Sequence, residues 1–168
     1  SAEGARCGEA VRTAGYVSGD GFEDVLIGAP FYSGAFTEEG AVFLYLGGPD
    51  GVSVVANWSL TGEQDYAHFG FSVGGAGDVN GDGYSDLIIG APDMTQGFGR
   101  EGGAFVYLGG AMGPSASADW SVFGGQGTAL LGEAVAGAGD VNGDGYGDVI
   151  VGVRRYDNGE TDEGRAMV

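Results

Sequence analysis

The segment Asp78-Val79-Asn80-Gly81-Asp82-Gly83-Tyr84-Ser85-Asp86 carries oxygen-bearing side chains at its positions 1, 3, 5 and 9 and a glycine at position 6. Asp78, Asn80, Asp82 and Asp86 offer carboxylate and amide oxygens, and Tyr84 at position 7 can offer its backbone carbonyl. About five protein oxygens, completed by a bidentate carboxylate or water, make the hard coordination sphere that calcium takes. The all-oxygen set makes zinc and copper poor fits. Gly81 and Gly83 permit the positive φ values that a sharp wrap requires.

The segment recurs 62 positions later as Asp140-Val141-Asn142-Gly143-Asp144-Gly145-Tyr146-Gly147-Asp148, with one residue changed. A second calcium site is therefore expected on Asp140, Asn142, Asp144, the Tyr146 carbonyl and Asp148. Neither segment is an EF-hand, because position 12 counted from Asp78 is Ile89, where that motif needs a bidentate glutamate, and an apolar strand follows instead of a helix. A purely structural alternative makes Asn80-Gly81 and Asp82-Gly83 simple hairpin turns. Such turns need neither Asp78 nor Asp86, and carboxylates crowded without a counter-ion repel one another. At the same register the first unit reads Tyr16-Val17-Ser18-Gly19-Asp20-Gly21-Phe22-Glu23-Asp24. Its first carboxylate is lost and its third position is serine, so weak or no calcium binding is expected; Asp20 and Asp24 are expected to serve the turn alone, with Glu23 a stray oxygen.

The loops sit inside a longer repeat. A shift of 62 aligns Cys7-Gly8 with Phe69-Gly70 and Leu131-Gly132, Gly28-Ala29-Pro30 with Gly90-Ala91-Pro92, and Glu39-Gly40 with Glu101-Gly102 and Glu163-Gly164. Such internal periodicity has precedence over any local reading. In the middle unit the alternating, β-branched and aromatic content predicts strands near 71–76, 86–90, 104–108 and 119–123, and no stretch has a helical period. The first strand is small (Val73-Gly74-Gly75-Ala76), the second is continuously apolar (Leu87-Ile88-Ile89), the third carries Phe105 and Tyr107, and the fourth Trp120. Side chains that grow from first strand to fourth suit a wedge, narrow at a central axis and wide at a rim. The expected class is all-β, with propeller blades of four antiparallel strands. A β-sandwich would not need an identical spacing, and the coils of a parallel β-helix are much shorter than 62 residues.

Phe69-Gly70, the Asp78 to Asp86 loop and Gly90-Ala91-Pro92, occurring in that order, resemble the FG-GAP repeat of the integrin α-subunit type of β-propeller. The likeness runs from about Cys7 to Val168. The first unit departs from it at Cys7-Gly8 and in its loop. The third departs at Leu131-Gly132 and at Gly152-Val153-Arg154, which puts the packing beside its second strand in question. The resemblance implies calcium in the matching loops and a role in adhesion.

Formal charge is −18, from 6 basic and 24 acidic residues, which disfavours nucleic acid and anionic lipid as partners. All the basic residues are arginine. No apolar run approaches the roughly 20 residues that span a bilayer, so membrane insertion is not expected, and the residues from Ser1 onward are not expected to act as a signal peptide. The single cysteine, Cys7, rules out an intrachain disulfide and reads as a small buried hydrophobe. His68, the only histidine, reads as a solvated loop residue, and with one histidine most acid-base schemes are unattractive. Trp58 and Trp120, in direct register, read as fourth-strand packing; Arg154 and Arg155 form the only basic pair, a possible mark of a partner surface.

The expected organisation is a short extension at 1–6, a blade at 7–68 with a degenerate cation loop, a second blade at 69–130 and a truncated third at 131–168. About 2.7 units are too few to close a ring, since propellers close with about four to eight blades. Either a longer propeller or side-by-side copies would cover the open strand edges. The function expected is a non-enzymatic, calcium-stabilised segment for extracellular or cell-surface adhesion or protein interaction, with self-association through the open edges as an alternative partner. An accessory propeller of a secreted hydrolase or lipase, and a lectin-like module using loops 31–38 and 93–100, are the other readings.

Overall fold

A computed structural model describes residues 4–168. Three antiparallel sheets follow one another along the chain, and no helix occurs among the described residues. The first has the order β1 (Ala10–Gly15), β2 (Asp24–Ala29), β3 (Ala41–Tyr45), β4 (Trp58–Thr61). The second repeats it with β5 (Ser72–Gly77), β6 (Asp86–Ala91), β7 (Gly103–Tyr107) and β8 (Trp120–Phe123). The third contains β9 (Leu131–Gly139), β10 (Asp148–Val153) and β11 (Arg165–Met167). These are partial propeller blades: β5 lies between β1 and β9 and touches both, so the first strands of the three sheets gather on one side.

Burial explains the composition of the middle strand. β6 is buried at every position, with Leu87 and Ile89 turned toward the first sheet and Ile88 toward the third. Leu26, Val42 and Leu44 meet Phe69, Val73 and Tyr107 in one core, while Val106 and Ala104 meet Leu131, Val151 and Val153 in the other. A strand covered on both faces has no polar side to show, hence the unbroken Leu87-Ile88-Ile89 run.

The repeated dipeptide and tripeptide stitch the sheets together. Gly70 N–H donates to Gly90 O at 3.0 Å within the second sheet, and the Gly70 carbonyl lies against Gly28 of the first, where a β-carbon would come within 2.0 Å of it. Phe69 N–H donates across to Glu39 O, and Leu131 N–H to Glu101 O, each at 3.0 Å. In the third unit Val153 fills the place of the expected alanine and is buried, and Arg154 turns outward to Glu133 at 2.6 Å.

Three sequence expectations change here. Cys7 is exposed, whereas its register partners Phe69 and Leu131 are buried. Those two residues are each wedged against a preceding sheet, and among the described residues none precedes the first. His68 is not a solvated loop residue; its side chain is only 16% exposed and ion-paired. Trp58 packs its ring edge-on to Tyr107 of the next sheet, with centroids 5.6 Å apart, but Trp120 is 45% exposed.

Candidate functional site: repeated acidic loops at one end of the sheets

The three acidic segments are the turns from β1 to β2, β5 to β6 and β9 to β10, so they share one end of the sheets. In the second loop the Asp78 carboxylate accepts three backbone N–H groups, from Gly81 (2.7 Å) and Asp82 (3.1 Å) on Oδ1 and from Gly83 (2.8 Å) on Oδ2. Asn80 Oδ1 accepts from Asp82 N–H at 3.0 Å, and Asn80 Nδ2 donates to Asp82 Oδ2 at 2.9 Å. Asp82 Oδ1 accepts from Tyr84 N–H at 3.0 Å. The wrap places Gly81 at φ 76° and Gly83 at φ 91°, conformations that side chains with a β-carbon rarely adopt.

The third loop repeats these contacts almost bond for bond. Asp140 Oδ1 accepts from Gly143 and Asp144, its Oδ2 from Gly145, and Asn142 Nδ2 donates to Asp144 Oδ2 at 2.9 Å. Asn142 Oδ1 accepts from Asp144, and Asp144 Oδ1 from Tyr146.

Position 9 has a different place. Asp86 is fully buried; its Oδ2 accepts from Val79 N–H and its Oδ1 from Gly109 N–H, both at 2.7 Å. Asp24 does the same for Val17 and Gly47, at 2.9 Å each, although its loop lacks the first carboxylate. Asp148 accepts from Val141 N–H at 2.8 Å. The ninth residue thus ties the loop entrance to the next turn in a unit without the full ligand set. Asp24 accordingly serves more than its own turn, while Asp20 accepts from Phe22 N–H at 2.9 Å and stays within it.

Among the described residues no three Asp, Glu, His or Cys side chains are gathered as a metal-ligand group. The loops are closed by amide–carboxylate hydrogen bonds: Asn80 and Asp82 meet side chain to side chain, the Asp78 carboxylate holds the Gly81, Asp82 and Gly83 amides, and Asp86 turns to the Val79 and Gly109 amides. The pKa of Asp86 is raised, first by burial and, more weakly, by the carboxylates of Asp82 and Asp78, while the N–H groups of Gly109 and Val79 pull the other way. No ion pair among the described residues reaches any of the loop carboxylates.

The opposite end holds the turns from β2 to β3 and the connections between sheets. There His68 Nδ1 lies 2.6 Å from Asp93 Oδ2, and Nε2 3.3 Å from Glu38 Oε2. Arg100 closes the group with its Nε 2.6 Å from Asp93 Oδ1. Glu101, buried, accepts from Gln96, Gly97 and Phe98 on Oε1 and from Gly125 on Oε2. Glu39 repeats this for Gly34, Ala35 and Phe36, but its Oε2 is buried without a partner. Both roles escaped sequence reasoning, though the shared register of Glu39, Glu101 and Glu163 was visible.

The FG-GAP repeat matches at residues 17–45, 69–108 and 131–168, one match on each sheet and each spanning an acidic loop in whole or in part. The chain belongs to the FG-GAP repeat family. It is 35% identical over 140 residues to integrin alpha-4 of Xenopus laevis, covering 81% of this chain and 13% of that protein. With integrin alpha-5 of the same organism it shares 32% over 161 residues, 90% of this chain and 15% of the relative. With integrin alpha-IIb of Mus musculus the figures are 37% over 147 residues, 81% and 14%. This FG-GAP chain therefore spans only about a seventh of these relatives' length. No helix among the described residues is long and apolar enough to cross a membrane.

Proposed function

We propose that this chain is a non-enzymatic, calcium-stabilised FG-GAP propeller segment that serves adhesion or protein interaction outside the cell or at its surface. Its blades divide at 7–68, 69–130 and 131–168. Calcium is held by Asp78, Asn80, Asp82, the Tyr84 carbonyl and Asp86, and a second ion by Asp140, Asn142, Asp144, the Tyr146 carbonyl and Asp148. Membership in a family whose integrin relatives match most of the chain supports the adhesion role.

The observation that carries the calcium reading is the charge left uncompensated in two near-identical loops. Burial first, and then more weakly Asp82 and Asp78, push Asp86 toward protonation, and among the described residues no ion pair reaches these carboxylates. The donor set is all oxygen, and although Asp78 Oδ1 is taken up by two amides, Asp78 Oδ2, Asn80 Oδ1 and both Asp82 oxygens accept one N–H each and retain a lone pair for a cation. Bound calcium neutralises that charge. The chain's own residues then hold each turn in one shape: Asp78 and Asp140 through the amides of their loops, Asp86 and Asp148 through the loop entrance.

An affinity of roughly 10⁻⁴ to 10⁻³ M suits an extracellular structural site. At ten times its dissociation constant an ion adds about 1.4 kcal/mol per site to stability. Thermal melting in calcium and in chelator tests this. The midpoint should rise with calcium in the native chain and not in a variant carrying D78A and D140A; an unchanged native midpoint refutes the calcium role.

A further inference from the structure

We infer that the second and third acidic loops load with calcium cooperatively, through contacts that each loop makes on the one before it. The inference rests on the calcium reading above and concerns how the two sites regulate one another.

Gly147 N–H donates to the backbone carbonyl of Asp78 at 2.7 Å. Gly147 stands between Tyr146 and Asp148, the carbonyl and carboxylate donors of the third loop, whereas Asp78 is the first donor of the second. The ring of Tyr146 also covers Gly81: a β-carbon there would lie 2.7 Å from Tyr146 Cε1. One hydrogen bond and one ring therefore join the closing half of the third site to the opening half of the second.

The same joint occurs one step earlier. Ser85 N–H donates to Tyr16 O at 3.1 Å, and Tyr16 N–H donates to Ser85 Oγ at 3.0 Å. Tyr84 covers Gly19 as Tyr146 covers Gly81. The first loop lacks the ligand set, so the joint belongs to the fold and not to the ion. There it gives the second loop a fixed platform.

Fixing a backbone residue costs conformational entropy. An ion in the third loop that fixes residues 146–148 also fixes the Asp78 carbonyl and the cover over Gly81. Less ordering then remains for the second loop, and its affinity rises. Linkage makes the effect reciprocal, so an ion in the second loop strengthens the third by the same factor.

Calcium titration of the whole chain, followed by the amide NMR signals of Gly81 and Gly83 for one loop and Gly143 and Gly145 for the other, separates the sites. Asp144→Ala should weaken binding at the second loop by about fivefold or more, the lower end of ordinary coupling. Tyr146→Ala keeps the backbone carbonyl and the Gly147–Asp78 hydrogen bond but removes the ring, and should lower the coupling factor. Gly147→Ser restores the hydroxyl that Ser85 offers, accepting from Asp78 N–H, and should raise the coupling; it stands in if Tyr146→Ala unfolds. A second-loop affinity unchanged by Asp144→Ala, or a coupling factor unmoved by the Tyr146 or Gly147 variant, overturns cooperativity while leaving two calcium sites. Absence of calcium shifts at either loop overturns the calcium reading as well.

Discussion

The carbonyl oxygen of Gly132 lies so close over the α-carbon of Gly90 that a β-carbon on Gly90 would sit 2.0 Å from it. Gly28 and the Gly70 carbonyl stand in the same relation one repeat earlier. The glycine of each Gly-Ala-Pro is therefore a contact between sheets, set by the close approach of the next unit's backbone.

Gly90→Ala should consequently separate the second and third sheets, because the Gly132 carbonyl is backbone and cannot swing aside as the Ser72 hydroxyl can. Overpacking of this kind costs about 1–3 kcal/mol or more. Gly152→Ala is the control: its β-carbon would meet Ala134 at an ordinary 3.6 Å. Denaturant unfolding should show a large loss for the first and little change for the second.

The His68 cluster predicts a pH dependence of definite sign. Its pKa is raised, chiefly by the hydrogen bond with Asp93 and then by Glu38, against the opposing effect of burial. A raised folded pKa means stability that is complete below the unfolded value of about 6.5 and is lost as pH rises through the folded value. Asp93 runs the other way. Burial would lift its pKa, but His68 and Arg100 outweigh this and hold it low, so its share is present at neutral pH and lost in acid. Solvent screening limits the His68 effect to about 1 kcal/mol or less. Denaturation midpoints should fall as pH rises above the unfolded value of about 6.5 in the native chain, and His68→Gln should flatten that slope.

The strand pattern was legible because each signal is local: Leu87-Ile88-Ile89 for the doubly covered strand, and Asn-Gly and Asp-Gly for the turns beside it. The acidic residues of the site were legible for the same reason. What could not be seen was which oxygen each presents to the backbone. Asp86 accepts from Gly109, 23 residues away, and His68 meets carboxylates 25 and 30 residues away. Such partners are fixed by the stacking of sheets and leave no trace in spacing. Glu101 shows the limit most clearly, since its partners are main-chain amides that any residue supplies.

Glu101 and Glu39 should respond differently to the same substitution. Burial alone would raise the Glu101 pKa, but N–H donors from Gly97, Phe98, Gly125 and Gln96 lower it, so its stabilisation is present above the unfolded pKa and is lost as pH falls through the folded one. Glu101→Gln must either turn its NH₂ toward the Gly125 N–H or give up the three amides on Oε1, leaving buried donors unpaired at about 1–3 kcal/mol. Glu39 Oε2 has no partner, so Glu39→Gln places its NH₂ where nothing is displaced. Thermal melts should rank Glu101→Gln well below Glu39→Gln; equal losses would refute the assignment of Oε2.

The two tryptophans offer a test of how the sheets pack, since sequence register makes them equivalent and structure does not. Trp58 meets Tyr107 edge-on, and Tyr107 in turn meets Phe69 at 6.4 Å, so the indole closes an aromatic chain across the first and second sheets. Burial drives the Tyr107 hydroxyl far above its usual pKa, as expected for a ring sealed under that cover. Truncating such an indole removes apolar contact and leaves a void, a loss of about 3–5 kcal/mol when burial is complete and less for a half-buried ring. Among the described residues no ring lies across from Trp120, and nearly half its surface is open. Trp58→Ala should therefore lower the denaturation midpoint markedly and bring the Tyr107 hydroxyl back toward an ordinary titration, whereas Trp120→Ala in this same chain should do neither. A comparable loss from both would mean that the outer strands draw their stability from their own sheet and not from the neighbouring one.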